Sequence, residues 1–435
     1  MSEQNNLGAA LAAATCALLG AATAAPVKAD EADRWSFDTT LLYYGEDNDR
    51  VQDVSAAIDA HRAFDDERLL NLTLTADTLT GASASGAIAL DTPQTFTSPS
   101  GDAVYTTPPG EVPLDDTFLD TRFALNASWT QPLARLYTFS AGLGFSTEYD
   151  YTHLGANLAI ARDFNKRNTT VSAGLAWSQD DIDPVGGAPV PLSQMLDVGA
   201  SGNKRGTDSK DVLDLLLGVT QVLSRNTVVR LNYSFSQSSG YLNDPYKILS
   251  VVDPLTGDTI VRTPAPGALG PTGLYIYESR PDSRAKHSLY AEMKHAFGAP
   301  VLHAAYRFMT DDWGIDSHTG ELRLRWPIGG ASYVEPQLRY YMQSEADFYR
   351  ASLAQGQPLP EHASADFRLG DFYAVTIGVK FGHRTAGGNE WSTRLEYYQQ
   401  SGNVPREQLI GRQLAREQYP DLSAVMVQFG YRFGL

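Results

Sequence analysis

The chain has 435 residues, of which 43% are hydrophobic and 10% aromatic, with a mean hydropathy of −0.27. Its 51 acidic residues outnumber 34 basic ones for a net charge of −17, which argues against nucleic acid as a partner. The length exceeds a typical single soluble domain, yet no linker divides the chain. After the amino-terminal apolar stretch, no segment reads as a membrane helix.

Residues 7–25 read as a signal-peptide core, too short for a stop-transfer helix, with cleavage expected after Ala24 or Ala29. The preceding SEQNN lacks Lys or Arg and carries Glu3, an unusual start for such a peptide. The one cysteine, Cys16, lies in this stretch, and Ala13-Ala14-Thr15 before it argues against lipidation. Residues 1–29 are therefore expected to be a signal peptide. Residues 30–435 follow as one domain without thiols, suited to an oxidising periplasm.

From there the chain alternates. Phe37, Thr39, Leu41 and Tyr43 mark a first strand, closed by the acidic turn Glu46-Asp47-Asn48-Asp49. Val54 to Ala60 and Leu70 to Leu74 give two more, joined by a tight turn at Asp65 to Arg68. A Gly-, Ser-, Thr- and Pro-rich interval follows, expected as a long loop over residues 80–117. The rhythm returns at Phe118 and continues through strands centred near Leu125, Ala141, Leu158 and Leu175, then a polar loop near residues 180–210. A hairpin around Ser224 to Asn226 leads to a second long loop over residues 240–283. Strands near Ala291, Ala304, Leu324, Leu338, Ile377 and Leu395 complete the series before the last one.

That last strand organises the rest. Val425, Val427, Phe429, Tyr431, Phe433 and Leu435 alternate with Met426, Gln428, Gly430 and Arg432, so one face is apolar and the other polar or small. Such a strand at a carboxyl terminus reads as the closing strand of a transmembrane β-barrel, because an unpaired edge in lipid leaves backbone groups unsatisfied. It is also the segment through which barrel-assembly machinery is expected to engage the chain. The expected fold is an all-β, antiparallel transmembrane barrel of about sixteen strands with long extracellular loops. Short turns alternate with long loops, which puts both termini in the periplasm and the barrel in the bacterial outer membrane. A soluble sandwich or propeller fits less well, since no blade repeat is present.

If the apolar set faces lipid, the other set faces the lumen. It comprises Arg122, Arg230, Arg307, Arg323, Arg325, Arg339, Arg394 and Arg432, with Glu321, Glu335 and Glu396. The acidic excess is expected in the loops, at Asp47, Asp49, Asp115, Asp116, Asp180, Asp181, Asp183, Asp208, Asp244, Asp253 and Asp258 among others. An acidic loop folded opposite an arginine wall would make a field that selects polar or charged solutes, as in a porin. Alternatively the arginines pair with luminal glutamates, and the loop acids bridge cations and lipopolysaccharide phosphates. A plugged barrel anchoring a periplasmic or surface partner is a second reading of the whole chain.

Enzymatic readings are weak. In Asp316-Ser317-His318 the serine points away from its neighbours on a strand, so the three cannot form one relay, though a Ser from another strand could complete a hydrolase site. The eight histidines lack metal-ligand spacing, and Asp180-Asp181-x-Asp183 and Asp311-Asp312 lack a full Ca²⁺-loop signature. No cofactor or metal is expected.

Several loop phrases have a more specific likeness: DTLTGASASGA from Asp77 through Gly81 and Gly86, QTFTSPSG at 94–101, GYLNDPYK with Asn243, Asp244 and Pro245, ESRPDSR at 278–284, and YRFMTDDWGIDSHT with Asp311 and Asp312. On these the chain resembles a family of proteobacterial outer-membrane proteins known as domain of unknown function 3570. The resemblance implies a membrane barrel. It also implies a neighbourhood of periplasmic redox and flavin-transfer proteins, and hence a redox protein or lipoprotein as a partner. Gly81 and Gly86 suit sharp turns and Asn243-Asp244-Pro245 a turn start, so the two long loops are expected to fold and to narrow or plug the pore.

Overall fold

The computed structural model describes residues 34–435 except 48, 49, 65, 66 and 201. The expected signal segment with Cys16, as well as Asp49, Asp65 and Asp66, lies outside the described residues. The wall is built from β1 (Trp35–Glu46), β2 (Val51–Ala63), β3 (Leu69–Ala84), β6 (Leu114–Ala134), β7 (Tyr137–Thr147), β8 (Tyr151–Phe164), β9 (Thr169–Ile182) and β10 (Asp208–Ser224). It continues through β11 (Thr227–Gly240), β14 (Ser283–Ala296), β15 (Val301–Asp311), β16 (Asp316–Ile328), β17 (Ser332–Gln343), β19 (Asp371–Arg384), β20 (Glu390–Asn403) and β21 (Leu422–Gly434). Among the described residues these sixteen strands form one closed barrel, each antiparallel to the next, with β21 pairing β1.

Closure follows from the alternation. Leu41 stands opposite Phe429 and Tyr43 opposite Val427 across the seam, so the apolar sets of the first and last strands share one face. That face points outward: Leu41, Val54, Phe123, Leu143, Leu322 and Ile377 are each more than 49% exposed. An apolar belt of this extent belongs against lipid, and strands of about 9–11 residues tilted near 45° are long enough to cross a bilayer core.

Two boundaries differ from expectation. β3 runs to Ala84 and β6 begins at Leu114, so the loop predicted at 80–117 spans only 85–113. Alternation fades there because of a bulge: the register of β3 against β6 shifts between Gly81 and Ser83. Gly81 has φ 135°, and a Cβ there would enter the Arg50 carbonyl. Asp115, Asp180, Asp181 and Asp208, predicted in loops, lie in β6, β9 and β10. The barrel rim reaches further along the chain than its apolar band.

The buried core sits outside the wall. Loop segments 85–113, 183–207, 241–282, 344–370 and 404–421 gather at one end of the barrel, opposite the short turns and both termini. They form a cap with its own small sheets. β4 (Gln94–Thr97) pairs β5 (Val104–Thr107), while β12 (Ile248–Val252) lies between β13 (Tyr275–Tyr277) and β18 (Leu353–Ala354). β12 is buried along its whole length. Phe96 packs on Tyr275 with ring centroids 4.6 Å apart, and the Tyr275 hydroxyl donates to Gln94 Oε1 at 3.0 Å. The long loops are therefore folded structure, with Gly86 wedged where a Cβ would meet the Ile248 carbonyl and Ala365.

Candidate functional site

The lumen is lined by the inward residues of the strands, and its charge is divided between two walls. On one side β15, β16 and β17 contribute Arg307, Arg323 and Arg339, which line a recess of about 270 Å³ with Tyr290, His303 and Glu321. β3 and β6 lie eight places from β15 and β16 around the sixteen-membered ring, diametrically opposite. Their inward faces, with that of β2, carry Asp53, Asp59, Asp77 and Asp120. The acidic counterpart to the arginines thus comes from strands and not from a loop folded inward.

Some arginines are neutralised locally. Arg122 binds Asp77 at 2.9 Å, Arg323 binds Glu321 at 2.6 Å, and Arg230 lies 3.8 Å from Glu292. Arg394 sits between Glu335 at 3.7 Å and Glu396 at 3.3 Å, and takes Gln337 at 2.9 Å. Arg432 binds Asp38 at 2.6 Å across the seam. Three have no carboxylate partner among the described residues: Arg307, 5.7 Å above the Tyr290 ring; Arg325, 3.5 Å above the Tyr333 ring; and Arg339. An arginine without a fixed counter-ion is available to a passing anion. Arg307 and Arg339 meet that condition beside the recess.

Above the lumen, loop segments that are far apart in sequence converge on a buried charged hub. Asp244, Lys247, Glu278, Arg280, Asp366 and Arg368 are all 9% exposed or less. Arg280 bridges Glu278 at 2.7 Å and Asp366 at 2.8 Å, and Arg368 binds Asp366 at 2.8 Å and also Asp244. The backbone shapes this convergence. Asn243 Oδ1 accepts from the Arg280 amide at 2.6 Å, and Asp244 Oδ1 accepts from the Tyr246 amide at 3.0 Å across Pro245, an Asx turn. Ser364 donates to Glu278, whose other oxygen accepts from the Asp244 amide. Lys247 ties the hub to the rim, donating to Ser83 Oγ at 2.9 Å and the Ala84 carbonyl at 2.6 Å.

These charges differ in their proton affinity. Burial raises Asp244, but Lys247 and Arg368 outweigh it and hold the carboxyl at about 2. Asp366 is likewise lowered, Arg368 and Arg280 overcoming its burial. Glu278 goes the other way: burial, joined by the charges of Asp244 and Asp366, outweighs Arg280 and lifts it to about 7.

The remaining loop residues are structural. Asp311 Oδ1 accepts from the amides of Trp313 at 3.0 Å and Ile315 at 2.9 Å, its other oxygen binds Arg284, and Asp312 accepts from the Ala285 amide at 2.9 Å. His318 is on the outer face beside the Tyr306 hydroxyl at 2.7 Å, while Ser317 is buried on the inner face. Asp120, Glu148 and Asp150 bring carboxylate oxygens within 4.8 Å of one another at the rim.

Glu278, Arg280, Asp366 and Arg368 were not among the candidate residues read from sequence. The first two lie in the ESRPDSR phrase, where an internal acid–base pair was the available signal. The second pair lies in a segment, residues 344–370, that carried none.

The sequence profile described as "Protein of unknown function (DUF3570)" matches residues 8–433. The chain belongs to that family. No curated protein matches. Among solved structures, the family fold seen here is similar to the CymD monoaromatic hydrocarbon channel, at 10% identity over 97% of this chain and 93% of the other, TM-score 0.42. It is also similar to OccK5 (OpdH) of Pseudomonas aeruginosa, at 9% identity over 93% and 99%, TM-score 0.41. The siderophore receptor PirA of the same organism follows at 10% identity over 92% and 63%, TM-score 0.39.

Proposed function

We propose that this chain is an outer-membrane channel for small charged solutes, with its long-loop mouth narrowed by the folded cap. The observation that supports it is the divided lumen: Arg307 and Arg339 without carboxylate partners among the described residues on one wall, and Asp53 and Asp59 across from them. Opposed charges across a water-filled lumen orient and select permeating ions. In this reading the short turns and both termini are periplasmic, the cap is extracellular among lipopolysaccharide, and barrel-assembly machinery engages β21. No catalytic role is assigned.

A second reading rests on the cap itself. Its sheets and the six-charge hub are buried from solvent, which favours a closed barrel acting as an anchor for a periplasmic or surface partner, a redox protein or lipoprotein being the class suggested by the family's setting.

Single-channel recording of the refolded protein in planar bilayers separates the two. Unitary steps are expected, and the double variant Arg307→Glu, Arg339→Glu is expected to move the reversal potential toward cation preference by severalfold in permeability ratio. Silence in the intact barrel, persisting after the cap is loosened, would leave only the anchor.

A further inference from the structure

Between the cap and the wall formed by β1, β2, β3 and β6 lies a recess of about 260 Å³, far above the roughly 10–15 Å³ that one water requires. It lies at the cap end of the lumen wall, away from the arginine recess. It is lined by the apolar Val51, Leu79, Phe367 and Leu422 and by Asp115, Asp120 and Asp150, with Leu79 the cross-strand partner of Asp120.

The two cations that line the recess are engaged elsewhere. Arg50 lines it but is turned to Glu46 at 3.6 Å and to the Asp421 carbonyl at 3.0 Å. Lys247 also lines it, its Nζ donating to Ser83 and Ala84 and its charge set against Asp244. Asp120 Oδ1 is buried with no hydrogen-bond partner among the described residues, and a buried acceptor left unsatisfied is costly. Oxygens of Glu148 and Asp150 lie within 4.8 Å of it. Burial, reinforced by the charges of Asp120 and Asp244, raises the Asp150 carboxyl even though the Tyr246 hydroxyl donates to it. Apolar side chains beside an unsatisfied carboxylate oxygen are complementary to a molecule that is cationic at one end and greasy at the other.

We propose that this recess binds a small organic ammonium ion, the cationic head against Asp120 and Asp150 and the apolar body against Val51, Leu79, Phe367 and Leu422. A bare divalent cation fits less well. Ca²⁺ seeks six to eight oxygens, whereas Glu148 already faces Arg122 at 4.0 Å and Asp150 is engaged by Tyr246. A hydrated ion also gains nothing from the apolar side chains. A neutral molecule of the same shape would bury the apolar side chains but leave Asp120 unpaired.

The test is isothermal titration calorimetry on the refolded full chain in detergent at neutral pH, with phenethylammonium, its neutral analogue 2-phenylethanol, and Ca²⁺ as separate probes. Saturable binding of phenethylammonium is expected, well above that of 2-phenylethanol. Asp120→Asn should weaken it about tenfold, the loss of one charge-assisted hydrogen bond. Leu79→Trp, which fills the recess, should abolish it. Both variants must show the parent's heat-modifiable gel migration, which reports an intact barrel, and Asp120→Asn is isosteric. Equal affinity for 2-phenylethanol, unchanged affinity in Asp120→Asn, or a response to Ca²⁺ with none to phenethylammonium would each overturn the proposal. The channel reading is tested apart from this at Arg307 and Arg339, which do not line this recess, so it stands or falls separately.

Discussion

Arg368→Met is expected to release the cap from the barrel while leaving the barrel closed. Arg368 holds both Asp366 and Asp244, so its loss leaves three buried acids, Asp244, Glu278 and Asp366, facing only Lys247 and Arg280. Removing one partner of a buried ion pair costs about 3–5 kcal/mol, because the remaining charge stays desolvated without compensation. The barrel does not share this cost. Its strands are joined by backbone ladders around a closed ring and its apolar belt faces lipid. The measurement is limited trypsin digestion in detergent, read at Arg262, which lies in the 241–282 segment and is held by Asp197. Cleavage there should rise by well over tenfold, while the heat-modifiable band of the barrel persists. Protection equal to the parent's would mean the hub is not what fastens the cap. If the proposed channel is correct, the same variant should also conduct more than the parent.

The barrel was legible because a transmembrane wall writes itself into every second residue. Val425 to Phe433 shows it most plainly, and the register of Leu41 against Phe429 is the same rule applied to the seam. All sixteen wall strands follow that signal, and boundaries slipped only where it weakens, at the Gly81 bulge and at the polar rim above the lipid. The cap obeys no such period. Asp244, Glu278 and Asp366 are separated by 34 and 88 residues along the chain yet meet in one cluster, and nothing local marks a carboxylate that will be buried by a partner so remote. The luminal acids were missed for a different reason. Asp53, Asp59, Asp77 and Asp120 stand among Ser, Thr and Ala on strands whose apolar residues draw attention to the opposite face, so the negative charge was ascribed to the loops. Asn243-Asp244-Pro245 was readable as a turn from its residue types. That the turn orients an Arg-binding carboxylate required the fold.

Raising the pH from about 5 to 8 is expected to loosen the cap, and Glu278→Gln is expected to remove that response. Glu278 is lifted to about 7, whereas in an opened cap it returns to the ordinary value of 4.5. Between those values the closed hub binds more protons than the open one, so stability is full below about 4.5 and is lost as pH rises through 7. A shift of this size corresponds to something on the order of 3 kcal/mol. Asp244 and Asp366 act in the opposite sense: both are lowered in the closed cap and contribute stability above 3.8, which for Asp244 is lost only as pH falls toward about 2. Over the range from 5 to 8 they remain ionised in both states and add no slope. The physical picture is a hub with three acids and three bases in which one acid, crowded by two others, keeps its proton. Hydrogen–deuterium exchange of the β12 amides, corrected for intrinsic rate, reads the opening directly. Protection should fall from pH 5 to pH 8 in the parent and stay level in Glu278→Gln. The same fall in both proteins would place the titrating group elsewhere, and rising protection would reverse the sign assigned to Glu278.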